Sequence, residues 1–147
     1  TVVRCSLVGQ IESPLEAFVN PSSFKIYQAD TGLLVSKAGA QRADILAGIG
    51  GTFMGALTEN YVAQQLSAIG YPLHYWTRDN RAEIDFVVER QGCVSAIEVK
   101  AGENTRSRSL SSLKKSHPGV RLIRLSTKPF GMNDGLRSIP LYAAFCL

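Results

Sequence analysis

The residues best placed to do chemistry in this chain are Asp85 in AEIDFVVE and Glu98 and Lys100 in AIEVK. Both stretches alternate in the two-residue period of a strand: Ile84, Phe86 and Val88 against Glu83, Asp85, Val87 and Glu89, then Ser95, Ile97 and Val99 against Val94, Ala96, Glu98 and Lys100. Between them Arg90-Gln91-Gly92-Cys93 reads as a turn, so 82–100 is predicted to be a hairpin. A turn centred on Gln91-Gly92 sets Asp85 opposite Glu98 and Glu83 opposite Lys100. Like charges on neighbouring cross-strand positions, roughly 5 Å apart at Cβ, destabilise a sheet. A divalent cation would turn that repulsion into attraction, because hard cations take carboxylate oxygens. A solvated hairpin face of mixed charge satisfies the same pattern, and both readings stand at this point.

A helix must accompany this hairpin. Residues 52–69 read as the main one, with Thr52 as N-cap and Gly70-Tyr71-Pro72 as stop. Glu59, Val62, Leu66 and Ile69 fall on one face, the face suited to packing on a sheet. Glu59 therefore ends an apolar stripe, where an unpaired carboxylate is costly. It either reaches past the sheet edge or pairs with an arginine, or it points to the same place as Asp85 and Glu98.

Composition narrows the function classes. The chain has 147 residues and is 45% hydrophobic, enough for one domain with a proper core. No apolar run approaches a membrane span and no leader resembles a signal peptide. Cys5, Cys93 and Cys146 fit neither a disulfide framework nor a zinc pattern, which suits reduced thiols in a cytoplasmic protein. His74 and His117 have no metal-ligand spacing. The net charge is +4, yet from Lys100 to Lys128 eight basic residues face only Glu103, a local +7. Such a stretch beside an acidic patch suits a polyanion held near a metal, and also suits a solvated helix, the more frequent case for a charge-rich segment. The chain starts at a threonine, which suggests a piece of a longer protein.

The remaining elements follow in order. Val2 to Ile11 suggests a strand, Pro14 to Val19 a helical turn and Phe24 to Tyr27 a short strand. Asp30 is placed to cap a following helix. Gly48-Ile49-Gly50-Gly51 breaks the chain, giving an N-terminal extension over 1–50 and a core over 51–147. Leu73 to Thr77 reads as a strand, Arg106 to Ser116 as a helix with Leu110 and Leu113 inward, Val120 to Leu125 as a strand, and Ile139 to Leu147 as an apolar closing strand. The result is mixed α/β, with antiparallel opening strands and a later strand added through a helical crossover.

Glu59 on a helix, Asp85 in EIDF and Glu98-Val99-Lys100 in IEVK resemble the PD-(D/E)XK nuclease superfamily. That resemblance implies a restriction-endonuclease-like core, a mixed sheet flanked by helices. Ile84 stands where the superfamily's motif often has proline. A closer resemblance, through FKIYQADTGLL, GALTENYVAQQL, HYWTRDNRAEIDFVVE, AIEVKAGENTRSRSL and IPLYAAFCL, is to the uncharacterised C-terminal domain of a family of prokaryotic AAA+-type ATPases. No GxxxxGK[ST] phosphate loop occurs in these residues, so the ATPase module is expected elsewhere in a longer protein.

What the resemblance implies is phosphodiester chemistry. Asp85, Glu98 and the backbone carbonyl of Val99 would hold Mg²⁺ or Mn²⁺ against a phosphate oxygen. Lys100 would position the attacking water or stabilise the transition state. Glu59 would hold a water or a second cation. Arg106, Arg108 and Lys114 would grip flanking phosphates of nucleic acid, DNA before RNA. Two functions are thereby expected: a metal-dependent nuclease serving the ATPase, or an inactive nuclease-fold module that binds nucleic acid or protein and targets it.

Overall fold

Alternating residues at the start of the chain form β1 (Val2–Val8), which returns through a 3-10 turn at Leu15–Phe18 into the antiparallel β2 (Val19–Gln28). In this computed structural model, residues 1–79, 82–103 and 107–147 are described. Two short helices follow, α1 (Thr31–Lys37) and α2 (Arg42–Leu46), then the long α3 (Thr52–Ala68). Asp30 does cap α1, its carboxylate accepting the Leu33 N–H at 3.0 Å. Thr52 does not cap α3. The N-cap is Gly51, whose φ of 48° and ψ of −120° suit a residue without Cβ, and Thr52 is the first helical residue.

The expected hairpin is present as β4 (Ala82–Arg90) and β5 (Cys93–Val99), preceded by β3 (Leu73–Arg78). Arg90 pairs with Cys93, and Gln91 and Gly92 both have positive φ, as a two-residue hairpin turn requires. After α4 (Arg108–Ser116) come β6 (Arg121–Ser126), β7 (Gly131–Asn133) and β8 (Leu136–Pro140). The fold is mixed α/β on one eight-stranded sheet, in the order β2-β1-β3-β4-β5-β6-β8-β7. β3, β4 and β5 are antiparallel, and α4 carries the crossover to the parallel β6. Residues 1–50 contribute β1 and β2 to this same sheet, with β1 parallel to β3.

Both sheet faces are covered. On one, Val62, Ala63 and Leu66 of α3 pack with Cys5, Phe86, Ile97 and Leu125. On the other, Leu110 and Leu113 of α4 pack with Ile84, Val87, Ala96 and Leu122. Each such leucine, removed from water, contributes on the order of 2 kcal/mol.

The C-terminus differs from the sequence reading. Instead of a strand over Ile139 to Leu147, β8 ends at Pro140 and a 3-10 helix spans Leu141–Cys146. Proline has no N–H to continue a ladder, and Pro140, at φ −65°, serves as the N-cap of that turn. Ala143 and Ala144 then enter the α3-side core. The simple alternation read for β4 is also interrupted: Ile84 packs on the α4 side, whereas Phe86 and Val88 pack on the α3 side.

Candidate functional site

That interruption builds the site. His74 faces Val87 while Trp76 faces Ile84, so β4 has one residue more than β3 over this stretch, a β-bulge at Asp85 and Phe86. The bulge turns Asp85 toward Glu59 of α3 and Lys25 of β2, both of which act on its charge.

β4 and β5 part at the same point. Their ladder runs from Arg90–Cys93 to Phe86–Ile97 and stops. Beyond it β4 stays with β3, through Ile84–Trp76 and Glu83–Thr77, whereas β5 stays with β6 through Val99–Leu125. The Lys100 N–H likewise donates to the Leu125 carbonyl, at 2.8 Å. Across the resulting fork the Asp85 carboxylate accepts the Val99 N–H at 2.7 Å. Asp85 thus closes the fork with its side chain instead of facing Glu98 in a ladder pair. Glu83 does not face Lys100 either. Its carboxylate is ion-paired with Lys25, which reaches it from β2.

Glu98 sits just past the fork. Ala96 packs on the α4 side and Ile97 on the α3 side, so alternation sets Glu98 on the α4 side, beside its register partner Arg124. Asp85 and Glu98 thus come from the two strands that part at the fork, and Glu98 is among the charges acting on Asp85. Glu98 is only 6% exposed. One carboxylate oxygen meets the Lys100 ammonium at 2.9 Å; the other, Oε2, is buried with no hydrogen-bond partner. The Asp85 carboxyl is pushed up to about 7, chiefly by burial and further by the charges of Glu59 and Glu98, against the lowering effects of the Val99 N–H and Lys25.

Glu59 reaches the same neighbourhood, where its Oε1 is held by two donors. It accepts from the Tyr27 hydroxyl and from Lys25 at 3.2 Å. The partner is thus a lysine and a phenol, not an arginine. Burial by itself would lower the Lys25 ammonium, but its bond to Glu83 and the charge of Glu59 hold it above its ordinary value. Tyr27 is pushed up by burial and then by Glu59. Burial also takes the Cys5 thiol of the adjacent strand up to about 12.

Lys25 and Tyr27 were not among the residues singled out from sequence. Their signal was the alternation in Phe24-Lys25-Ile26-Tyr27, which runs opposite to the usual pattern: Phe24 and Ile26 are exposed, and Lys25 and Tyr27 turn inward. Among the described residues, no three His, Cys, Asp or Glu side chains gather closely enough to hold a metal ion. A metal here would rest on two carboxylates and backbone oxygen. Arg108 is exposed at the start of α4, and Lys114 is ion-paired with Asp134 at 2.5 Å. Arg106 lies outside the described residues. No helix among the described residues is long and apolar enough to cross a membrane.

Comparison with known proteins gives a consistent relationship. Residues 54–144 match the family described as Domain of unknown function (DUF4143). Uncharacterized protein Rv2008c of Mycobacterium tuberculosis is 36% identical over 124 residues, covering 79% of this chain and 27% of that protein. Uncharacterized protein Mb2031c of Mycobacterium bovis matches to the same extent. The chain thus spans about a quarter of the length of these relatives. No solved structure matches it significantly.

Proposed function

The chain belongs to the DUF4143 family, and from that premise we propose that it is a PD-(D/E)XK nuclease-like domain acting on nucleic-acid phosphodiesters as the C-terminal part of a larger ATPase. The observation that carries this reading is the fork. There a bulged aspartate holds the Val99 N–H, beside a Glu98–Lys100 pair whose glutamate keeps one buried oxygen without a partner. A buried aspartate and a glutamate with one unpartnered oxygen offer carboxylate oxygens of the kind a hard cation takes. Asp85, Glu98 and the Val99 carbonyl would hold Mg²⁺ or Mn²⁺. When bound, such an ion neutralises phosphate charge and polarises the phosphorus centre. Lys100, anchored by Glu98, supplies an N–H donor to the phosphate oxygens as their charge grows. Asp85 keeps Val99 in place through its backbone N–H.

A second reading has its own support. Glu59 Oε1 is taken by Lys25 and Tyr27, and two carboxylates with no third acidic or histidine ligand among the described residues make a sparse metal site. Those features favour a nuclease-fold module that binds without cutting and targets the ATPase. The deciding experiment incubates the domain with single- and double-stranded DNA and RNA in Mg²⁺, Mn²⁺ or EDTA. Metal-dependent cleavage, reduced about 10²-fold or more in Lys100→Ala, supports the nuclease. Cleavage unchanged in that variant would come from a contaminant or another site. Binding without cleavage in any metal supports the targeting module.

A further inference from the structure

One face of α4 carries Arg108, Ser111, Ser112 and Lys115, at steps of three, one and three residues, opposite the buried Leu110 and Leu113. With the N-cap Ser107 and with Arg124 of β6, these residues line an open groove of about 660 Å³. Leu136 completes the lining, and none of these residues is acidic. Lys114, although next to Lys115, turns away. Its ammonium bonds the Asp134 carboxylate at 2.5 Å and the Asp134 carbonyl at 2.6 Å, a surface pair that draws it away from the groove toward the β7–β8 turn.

The groove also leads to the fork. Arg124 is the register partner of Glu98 on the adjacent parallel strand, and the two share the α4 side. It donates to the Ser138 hydroxyl at 3.2 Å, which steadies its guanidinium at the groove margin. A chain of cationic and hydroxyl donors therefore runs from Lys115 and Arg108, past Arg124, to the Glu98–Lys100 pair.

We infer that this α4 groove is a binding track for the phosphate backbone of nucleic acid, with Arg108 and Lys115 as its cations and Lys114 excluded. The inference rests on the proposed nucleic-acid function and fixes where the strand lies. Phosphate oxygens accept from both guanidinium and hydroxyl groups, and this lining offers both. From Arg108 to Lys115 the helix rises roughly 10 Å, about three nucleotide steps of one strand. An acidic peptide or an anionic membrane would satisfy the charges alone. Only a polyphosphodiester would also gain from continuity with a site suited to phosphate chemistry.

The test is fluorescence anisotropy of labelled 20-nucleotide single- and double-stranded DNA and RNA in EDTA, over a salt series. It compares wild type, Arg108→Gln/Lys115→Gln, Arg108→Glu/Lys115→Glu and Lys114→Gln, each checked by its melting curve. Both double variants should weaken binding about tenfold or more, and the neutral one should flatten the salt slope by roughly 1.4 to 1.8, for two lost phosphate contacts. Lys114→Gln should stay within about twofold of wild type. If wild type binds with a steep salt dependence and the double variants match it, or if Lys114→Gln loses as much as they do, the track is overturned while the nucleic-acid function stands. Wild type failing to bind any of the four probes would overturn both. Tighter capture by phosphatidylserine vesicles than by any nucleic acid, lost in the double variants, would reassign the groove to a membrane surface.

Discussion

Asp85 is the residue on which most of the site's energetics turns. Its carboxyl would ionise near 3.8 in an unfolded chain but is pushed up to about 7 in the fold, first by burial and then by Glu59 and Glu98. Between those values the native state keeps a proton that the unfolded state has lost. Stability then falls as pH rises, because the native state binds more protons. Below about pH 4 Asp85 carries no penalty; above about pH 7 it carries the whole of it. Asp85→Asn keeps an acceptor for the Val99 N–H and removes the charge. In metal-free buffer at pH 8 this variant should melt about 3 °C or more above wild type, and the difference should close by pH 4. Calorimetry across that range checks it. A variant that melts lower at pH 8 would mean that Lys25 more than compensates the carboxylate. Asp85, Glu98 and Lys100 stood out in the sequence as candidates because polar side chains interrupting apolar strands are local signals. The unpartnered Oε2 of Glu98 did not, since it depends on packing that no short window contains.

At the scale of elements, the hairpin register was legible because Gln91-Gly92 is a strong turn signal, and five pairs follow from it. The bulge was not, because one extra residue in β4 has no signature apart from its partner β3. It is nonetheless what separates Ile84 from Phe86 and aims Asp85. The closing segment misled for a related reason: IPLYAAFCL is apolar enough for a buried strand, but Pro140 ends the ladder and periodicity alone cannot tell a short buried strand from a packed turn. β2 was readable as a strand, whereas its function in holding Glu59 was not. Lys25 and Glu59 are 34 residues apart, and only the assembled sheet brings β2 against α3. Lys25 pairs with both Glu59 and Glu83 while 29% of its side chain remains exposed. Its loss leaves Glu59 and Glu83 without their shared cation, and Glu59 beside Asp85 without compensation. Lys25→Met should destabilise the domain by about 1–2 kcal/mol in urea titration, less than a fully buried pair would cost. Lys25→Arg should recover part of this. A neutral Lys25→Met would show that solvent already screens the pair.

For the whole molecule, the fork lies where two half-sheets meet. β2, β1, β3 and β4 lie to one side of it and β5, β6, β8 and β7 to the other, joined by the five-pair β4–β5 ladder and by α3, which packs residues of both sides in one core. Asp85 belongs to the first half and Glu98 to the second. A cation shared by them would therefore act as a staple across the molecule, and its binding energy would add to global stability. At a metal concentration a hundred times its dissociation constant that gain is about 2.7 kcal/mol, equivalent to several degrees of melting temperature at this chain length. Protons compete with the metal at Asp85, whose carboxyl is raised to about 7, so the gain should be larger at pH 8 than at pH 6. Wild type should accordingly melt several degrees higher in millimolar Mn²⁺ or Mg²⁺ at pH 8, with a smaller shift at pH 6. Asp85→Asn should gain little at either pH. An equal gain in the variant would locate any metal elsewhere. No gain in either protein would leave the Glu98–Lys100 pair and the Lys25 bridges as a charge scaffold, and with it the non-cutting module as the domain's function.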